Sequence, residues 1–154
     1  MAGRNTYRGS FTPTNLEKYK GDPRKITYRS SWESHIMKFC DTNKHVVRWN
    51  SECVVVPYFS QADGKKRRYF VDFWVQFENG ETHLWEVKPL KETYPPPKPT
   101  SNNVHAKKKF VDALYLYSVN IDKWKAAHAL SKQKGWQFKI ITEKTLKSVF
   151  GWKG

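Results

Sequence analysis

The strongest constraint in this sequence is an aspartate placed inside an apolar strand pattern and followed, across a short turn, by Glu-Val-Lys. Asp72 lies in the middle of the segment YFVDFWV, and Glu86 and Lys88 end the next apolar segment. Aspartate is depleted in strand interiors, because a buried carboxylate loses its hydration and needs a partner. The nearest candidate partner in this pattern is the second carboxylate, Glu86.

The turn between the two strands decides whether the carboxylates share a face, because a shift of one residue reverses every side-chain direction. A two-residue turn at 79–80 pairs Asp72 with Val87, whereas a three-residue loop at 78–80 pairs Asp72 with Glu86. We predict the three-residue loop, since it keeps the opposite face wholly apolar. That face then comprises Tyr69, Val71, Phe73, Val75, Phe77, Trp85 and Val87.

Two carboxylates that face each other across a strand pair lie only ~5 Å apart at Cβ and repel each other unless a cation lies between them. Oxygen ligands of this kind suit Mg²⁺ or Mn²⁺. Lys88 shares the face of Glu86, because side chains alternate along a strand. Together these groups can hydrolyse a phosphodiester. The structural alternative is that Glu86 and Lys88 form an exposed polar face and Asp72 bonds to a loop.

The charge of the chain indicates the kind of partner. The sequence has 154 residues, with 28 Lys and Arg against 14 Asp and Glu, and its formal net charge is +14. Such a balance predicts a polyanionic partner and leaves the fold open. No long apolar segment is present, so a membrane is not a predicted partner.

Two runs of basic residues are candidates for contact with phosphates, although such runs are also typical of solvated faces. In a chain of this charge we favour phosphate contact for both runs, which consist of Lys65, Lys66, Arg67 and Arg68, and of Lys107, Lys108 and Lys109.

Residues 1–27 are polar and basic, and they predict an N-terminal arm that leads loosely into a single domain at 28–154. The domain reads as an α/β sandwich around a mixed sheet, in the order α-β-β-β-α-(α)-β-α. The predicted elements are a helix at 30–43, strands at 52–59, 68–77 and 82–88, helical segments at 104–118 and 121–134 with a C-cap at Gly135, a strand at 136–141 and a short last helix.

Glu33 has two compatible roles. Ser30 and Glu33 match the capping-box pattern that opens a helix, and this role alone explains the glutamate. Glu33 also lies beside the apolar stripe of that helix, from which its carboxylate can reach the Asp72 site.

Five segments in a fixed order resemble a PD-(D/E)XK nuclease. They are YRSSWE at 28–33, VVPY at 55–58, RYFVDF at 68–73, EVK at 86–88 and FKIITE at 138–143. The similarity extends to TnsA-type endonuclease subunits of transposases and to the head-completion nucleases of T-even-like bacteriophages. The segment leading into YRSSWE and the proline-rich PPPKP loop favour the phage family. Val71 departs from the pattern, which has proline before the aspartate.

The resemblance implies a restriction-endonuclease-like αβββαβ core, with a mixed sheet flanked by helices, and Mg²⁺-dependent cleavage of double-stranded DNA, with Mn²⁺ as an alternative metal. Asp72 and Glu86 would bind the metal together with the Val87 carbonyl. Lys88 would orient or deprotonate the attacking water and stabilise the transition state. Glu33 would bind a second metal or hold Lys88 and water.

The resemblance further implies action on packaged DNA during head completion, with phage head or portal proteins as partners, in the cytoplasm of the infected host cell or in the virion. One alternative is a non-catalytic DNA-binding structural protein of the virion that keeps the nuclease fold. Another is a TnsA-like transposase endonuclease subunit.

Overall fold

The computed structural model of this protein describes residues 8–153. Two short 3₁₀ helices, at Leu16–Lys18 and Leu90–Thr93, accompany the regular elements. In chain order these are β1 (Gly9–Ser10), β2 (Thr27–Tyr28), α1 (Ser31–Thr42), β3 (Val46–Ser51), β4 (Val55–Ser60), β5 (Lys65–Phe70), β6 (Phe73–Phe77), β7 (Thr82–Val87), α2 (Val104–Lys134), β8 (Gln137–Ile141) and α3 (Glu143–Ser148).

The central sheet is mixed and has the strand order β3-β6-β7-β8. Neighbouring strands are antiparallel from β3 to β7, and β8 joins β7 in parallel after the crossover through α2. A parallel neighbour requires such a crossover. The series α1-β3-β6-β7-α2-β8 confirms the predicted αβββαβ core with flanking helices.

The first core strand is not the predicted one. The strand predicted at 52–59 corresponds to β4, which pairs with β5 in a separate two-stranded sheet, here called the β4–β5 ribbon. The core position is taken by β3, which was not predicted. A register shift between Val46 and Arg48 breaks the alternation of β3, and the pattern of its side chains therefore lacks the period of two that identifies a strand.

The predicted strand at 68–77 is two strands, β5 and β6, separated at Val71 and Asp72. The carboxylate that was predicted inside a strand thus lies at the break between two strands. The β4–β5 ribbon turns at Gly64, whose φ is +67°, as the Asp63-Gly64 pair predicts.

Apolar side chains are buried on both faces of the central sheet. One cluster joins the sheet to α1 and α3 through residues such as Trp32, Ile36 and Leu146. The second cluster joins the sheet and the β4–β5 ribbon to α2; it contains Trp124 and Leu84. The face that carries Glu86 is therefore covered by a helix.

The predicted apolar face is correct for most of its members and wrong for two. Phe73, Val75, Phe77, Trp85 and Val87 pack in the first cluster. Tyr69 and Val71 pack in the second cluster, against α2. They change sides because the strand break at Val71 and Asp72 ends the alternation on which the prediction depends.

The two helical segments predicted at 104–118 and 121–134 form one continuous helix, α2. Asn120 did not end the first segment, because no glycine or proline accompanies it and the backbone hydrogen bonds continue. Gly135 is the C-cap, in the left-handed conformation with φ +73°, as predicted. Among the described residues, neither α2 nor any other helix is both long and apolar enough to cross a membrane.

Residues 8–27 pack closely on the domain, unlike the loose lead-in that was predicted for 1–27; residues 1–7 lie outside the described residues. The Asp41 carboxylate accepts hydrogen bonds from the backbone N–H groups of Thr14 and Asn15, both at 2.9 Å. Ile26 is buried in the first cluster. These contacts tie the segment to α1, which the polar composition of 8–27 does not indicate.

Candidate active site

The β6–β7 connection has the predicted register. The Phe77 N–H donates to the Glu81 carbonyl at 2.8 Å, which leaves three residues in the loop, and Phe73 pairs with Trp85. Gly80 has φ +91°, a conformation that glycine adopts without strain. One residue beyond the last pair, this register sets Asp72 opposite Glu86.

Both carboxylates are buried, Asp72 with 7% and Glu86 with 6% of its surface exposed. Asp72 Oδ2 accepts the backbone N–H of Val87 at 2.8 Å, so that its carboxylate is held against β7. The Asp72 carbonyl accepts the N–H of Glu52 at 3.0 Å. These two bonds fix Asp72 at the break between β5 and β6, with its carboxylate directed at Glu86.

Burial, and then the negative charge of Glu86, raise the pKa of Asp72 well above its ordinary value, although the Val87 N–H and Arg29 oppose the shift. The charged form of the Asp72 carboxyl is therefore disfavoured beside Glu86. A divalent cation between them would remove that conflict, and two carboxylates provide the hard oxygen ligands that Mg²⁺ prefers.

Arg29 lies among the carboxylates. Its Nη2 atom is 3.1 Å from Glu52 Oε1, 3.3 Å from Asp72 Oδ1 and 3.8 Å from Glu33 Oε2. Burial opposes its charge, yet Glu33, Glu52 and Asp72 raise the pKa of Arg29 above its ordinary value. The sequence prediction did not assign this residue. Arg29 precedes α1, so the pairing of opposite charges four residues apart on a helix surface does not apply to it, and no local pattern indicates its place in the site.

Ser30 caps α1 as predicted, and the Glu33 carboxylate reaches back to Arg29, one residue before the cap, and into the site. The Ser30 hydroxyl accepts the Glu33 backbone N–H at 3.2 Å. The Glu33 carboxylate in turn accepts the backbone N–H of Arg29 at 3.2 Å. The side chain is buried and lines the same cavity as Asp72.

Two lysines approach from different elements. Lys88 is half-buried directly after β7, and its backbone N–H donates to the Ile141 carbonyl at 3.0 Å. Lys123 comes from α2, with Nζ 5.6 Å from the centre of the Tyr69 ring. Burial lowers the pKa of Lys123, while the charge of Glu86 opposes that shift. No local pattern could have indicated Lys123, since only the packing of α2 brings it to the site.

These groups line one open cavity of about 470 Å³. Its carboxylates come from Glu33, Glu52, Asp72 and Glu86. Its cationic side chains come from Arg8, Arg29, Arg68, Lys88 and Lys123. Cationic groups around a small acidic centre are suited to bind a phosphodiester while a metal acts on it.

The described residues contain no group of three His, Cys, Asp or Glu side chains already arranged around a common metal position. The donor set that fits a metal here is the buried pair Asp72 and Glu86, together with the main chain at Val87. In the structure the guanidinium of Arg29 provides part of the positive charge that this pair requires.

The predicted DNA-binding runs lie in two places. Lys65, Lys66, Arg67 and Arg68 are exposed on β5, and only Arg68 of the four lines the cavity. Arg67 forms an ion pair with Asp63. The other run is exposed near the start of α2, away from the cavity lining, and consists of Lys107, Lys108 and Lys109.

The fold and the family comparison define the class of this protein as an endonuclease. The sequence model of the TnsA-like endonuclease N-terminal family matches residues 43–143, which is more than half of the chain. The chain therefore belongs to the TnsA-like endonuclease family, of the PD-(D/E)XK type.

One relative is similar to this chain over nearly its whole length. The chain is 48% identical to the head completion nuclease of Enterobacteria phage T4 over 148 residues, which cover 96% of this chain and 98% of the relative. No solved structure gives a significant match. The predicted resemblance to a PD-(D/E)XK nuclease related to both groups is confirmed.

Proposed function

We propose that the protein is a Mg²⁺-dependent endodeoxyribonuclease that cleaves double-stranded DNA during completion of the phage head. The observation that carries the proposal is the buried pair Asp72 and Glu86, whose juxtaposition is unfavourable without a cation. The matching relative is named a head completion nuclease. Mn²⁺ would serve the same oxygen ligands.

Asp72 and Glu86 would hold the metal, with the Val87 carbonyl as a third oxygen ligand and Glu33 beside them. When bound, the metal supplies Lewis-acid stabilisation of the phosphate and a more acidic water. Lys88 orients the attacking water, assists its deprotonation and stabilises the negative charge that develops on the phosphate. Glu33 holds Lys88 and water or contributes to a second metal.

The electrostatic surroundings support these roles. Arg29 offsets part of the negative charge of the carboxylates, and a bound metal would leave its guanidinium available to the phosphate. Lys123 adds positive charge on the α2 side of the cavity. The basic runs on β5 and α2 would contact DNA phosphates outside the cavity, which gives affinity without sequence preference.

The place of action in this proposal is the infected host cell or the virion, where the enzyme meets packaged DNA and phage head or portal proteins. The transposase alternative draws on the same family model. The match over 98% of the phage relative favours head completion.

The test is cleavage of linear and circular DNA in Mg²⁺ and in EDTA. Wild type should cleave only with metal, and Asp72→Ala and Glu86→Ala should lose cleavage by several orders of magnitude while keeping DNA affinity. Lys88→Ala should also lose most activity but should still bind Mg²⁺. Wild type that never cleaves DNA, with all three variants supporting phage growth, would establish the non-catalytic structural role.

A further inference from the structure

The β4–β5 ribbon has one buried and one exposed face. Its buried face places Val56, Tyr58 and Tyr69 against α2. Two phenylalanines stand on the exposed face, Phe59 with 55% and Phe70 with 45% of the residue surface exposed. Because side chains alternate along each strand, the register brings these rings onto one face with Lys66 and Arg68.

We infer that this exposed face, here called the outer ribbon face, binds unpaired nucleotides of DNA by stacking bases on Phe59 and Phe70. The inference rests on the proposed nuclease function and specifies its substrate: DNA with a frayed or single-stranded end next to the cleaved segment. Aromatic rings among cations in a groove are typical of sites for single-stranded nucleic acid.

The geometry separates the two rings and places charge between them. Phe59 pairs with Lys66, and Phe70 pairs with Val55, so the rings are four residues, or roughly 13 Å, apart along the ribbon. Arg68 lies between them with its Cζ 5.6 Å from the centre of the Phe70 ring. A base on each ring would leave the linking phosphates near Lys66 and Arg68.

The outer ribbon face continues into the candidate active site. Arg68 and Phe70 line the same cavity as Asp72 and Glu86. A strand held on Phe59 and Phe70 would therefore lead directly to the carboxylates. Bases in an intact duplex are stacked on one another, so only an unpaired strand can use both rings.

An apolar protein surface is the competing occupant, because exposed phenylalanines also anchor protein interfaces. Charge favours DNA: Lys66 and Arg68 lie beside the rings, and the chain carries a net charge of +14. A protein partner would need acidic groups matched to both cations as well as pockets for both rings.

The experiment compares binding of a blunt duplex with binding of the same duplex extended by a single-stranded thymidine tail, measured by fluorescence anisotropy in EDTA. The variants are Phe59→Ala/Phe70→Ala and Phe59→Leu/Phe70→Leu; the second keeps apolar side chains and removes the rings. Leu116→Ala is the control, because Leu116 is a comparably exposed apolar residue on α2. Circular dichroism checks that each variant is folded.

Wild type and the Leu116→Ala control should bind the tailed duplex roughly tenfold or more tightly than the blunt one. Both phenylalanine double variants should lose this preference and keep blunt-duplex affinity. An unchanged preference in the alanine variant, or a full preference in the leucine variant, would overturn the inference. If the variants also fail to support head completion while keeping the preference, the outer ribbon face binds a protein instead of DNA.

Metal-dependent cleavage of the blunt duplex separates this inference from the proposed function. If wild type cleaves the blunt duplex but shows no tail preference, only the stacking inference fails. If wild type shows the tail preference but cleaves no DNA, the nuclease proposal fails and the binding site stands.

Discussion

Asp72 is the residue on which the proposed chemistry depends, and its environment disfavours the charged form of its carboxyl group. It is buried beside Glu86, and its pKa is raised by burial and by that neighbour. An enzyme can tolerate such a group when a ligand supplies the missing charge. The stability of the metal-free protein should therefore report on this residue without any assay of activity.

We predict that Asp72→Asn stabilises the metal-free protein at neutral pH. Because the pKa of Asp72 is raised in the folded state, its protonated carboxyl stabilises the fold fully at a pH below the ordinary pKa of 3.8. This stabilisation is lost as the pH rises through the higher pKa of the folded state. Asparagine keeps an acceptor for the Val87 N–H and removes the repulsion, a gain on the order of 1 kcal/mol at pH 7.

Thermal melts in EDTA from acid to neutral pH measure this effect. The variant should melt higher than wild type at pH 7, and the gap should shrink towards acid pH. Added Mg²⁺ should raise the melting temperature of wild type and not of the variant. Asp112→Asn, which changes an exposed aspartate, is the matched control. A variant less stable than wild type at every pH would contradict the prediction.

The second prediction concerns the positive charge of Arg29. Replacing Arg29 by Gln removes a cation shared by Asp72, Glu52 and Glu33. The metal-free protein should then melt a few degrees lower, because buried carboxylates lose their compensating charge. Affinity for Mn²⁺ should rise, because the metal no longer competes with a guanidinium.

Titration calorimetry with Mn²⁺ measures this affinity, and Arg24→Gln provides the control, since Arg24 pairs with Asp22 on the surface. Weaker Mn²⁺ binding in Arg29→Gln would show that Arg29 supports the metal site and does not compete with the metal for it.

Residues of the site differ in how far the sequence could predict them. Asp72, Glu86 and Lys88 lie within one hairpin and its end, so alternation and loop length were enough to place them together. Arg29 and Lys123 come to the cavity from the start of α1 and from α2. Their positions depend on how the helices pack on the sheet, which no local pattern contains.

At the scale of elements, the β6–β7 loop sets the register that joins the two carboxylates. Gly80 has φ +91°, and a Cβ there would meet no atom within 4 Å. Substitution therefore acts through the backbone conformation alone. We predict that Gly80→Ala costs about 1 kcal/mol of stability, because alanine disfavours positive φ.

Gly80→Asn is the matched variant, because asparagine tolerates positive φ better than alanine. It should cost less than Gly80→Ala in denaturant unfolding, and both variants should retain metal-dependent cleavage. Equal losses for alanine and asparagine would show that the loop conformation is not what limits this position.

The elements that the sequence missed share a physical origin. The register shift in β3 and the break at Val71 and Asp72 interrupt the period of two. Tertiary pairing stabilises both irregular segments, through β6 for β3 and through the Val54 carbonyl for Val71. The continuity of α2 has a different origin, because local helical hydrogen bonds of the backbone continue past Asn120. The middle of this helix is only partly buried.

At the scale of the whole molecule, the distribution of positive charge relative to the sheet should determine how DNA is held. The β5 run lies beside the cavity, whereas the run at 107–109 lies on the first turns of α2, where few side chains are buried. This part of α2 extends the basic surface beyond the site. Binding of phosphates there would add affinity without contributing to catalysis.

The last prediction tests this contribution through salt dependence. Removing one lysine that binds a phosphate should reduce the slope of log affinity against log salt by roughly 0.9. Neutralising Lys107, Lys108 and Lys109 together should therefore weaken binding to a blunt duplex in EDTA and flatten the slope. A triple variant of Lys38, Lys144 and Lys147, which are exposed on α1 and α3, removes the same charge from the other side of the sheet.

The comparison separates local binding of phosphates from the overall charge of the protein. Both triple variants lower the net charge equally, so a long-range effect would change both slopes by the same amount. A flatter slope for the α2 variant alone would place phosphates on α2. An unchanged slope for that variant would make the run at 107–109 a solvated surface and leave the cavity and the β4–β5 ribbon as the DNA-binding region.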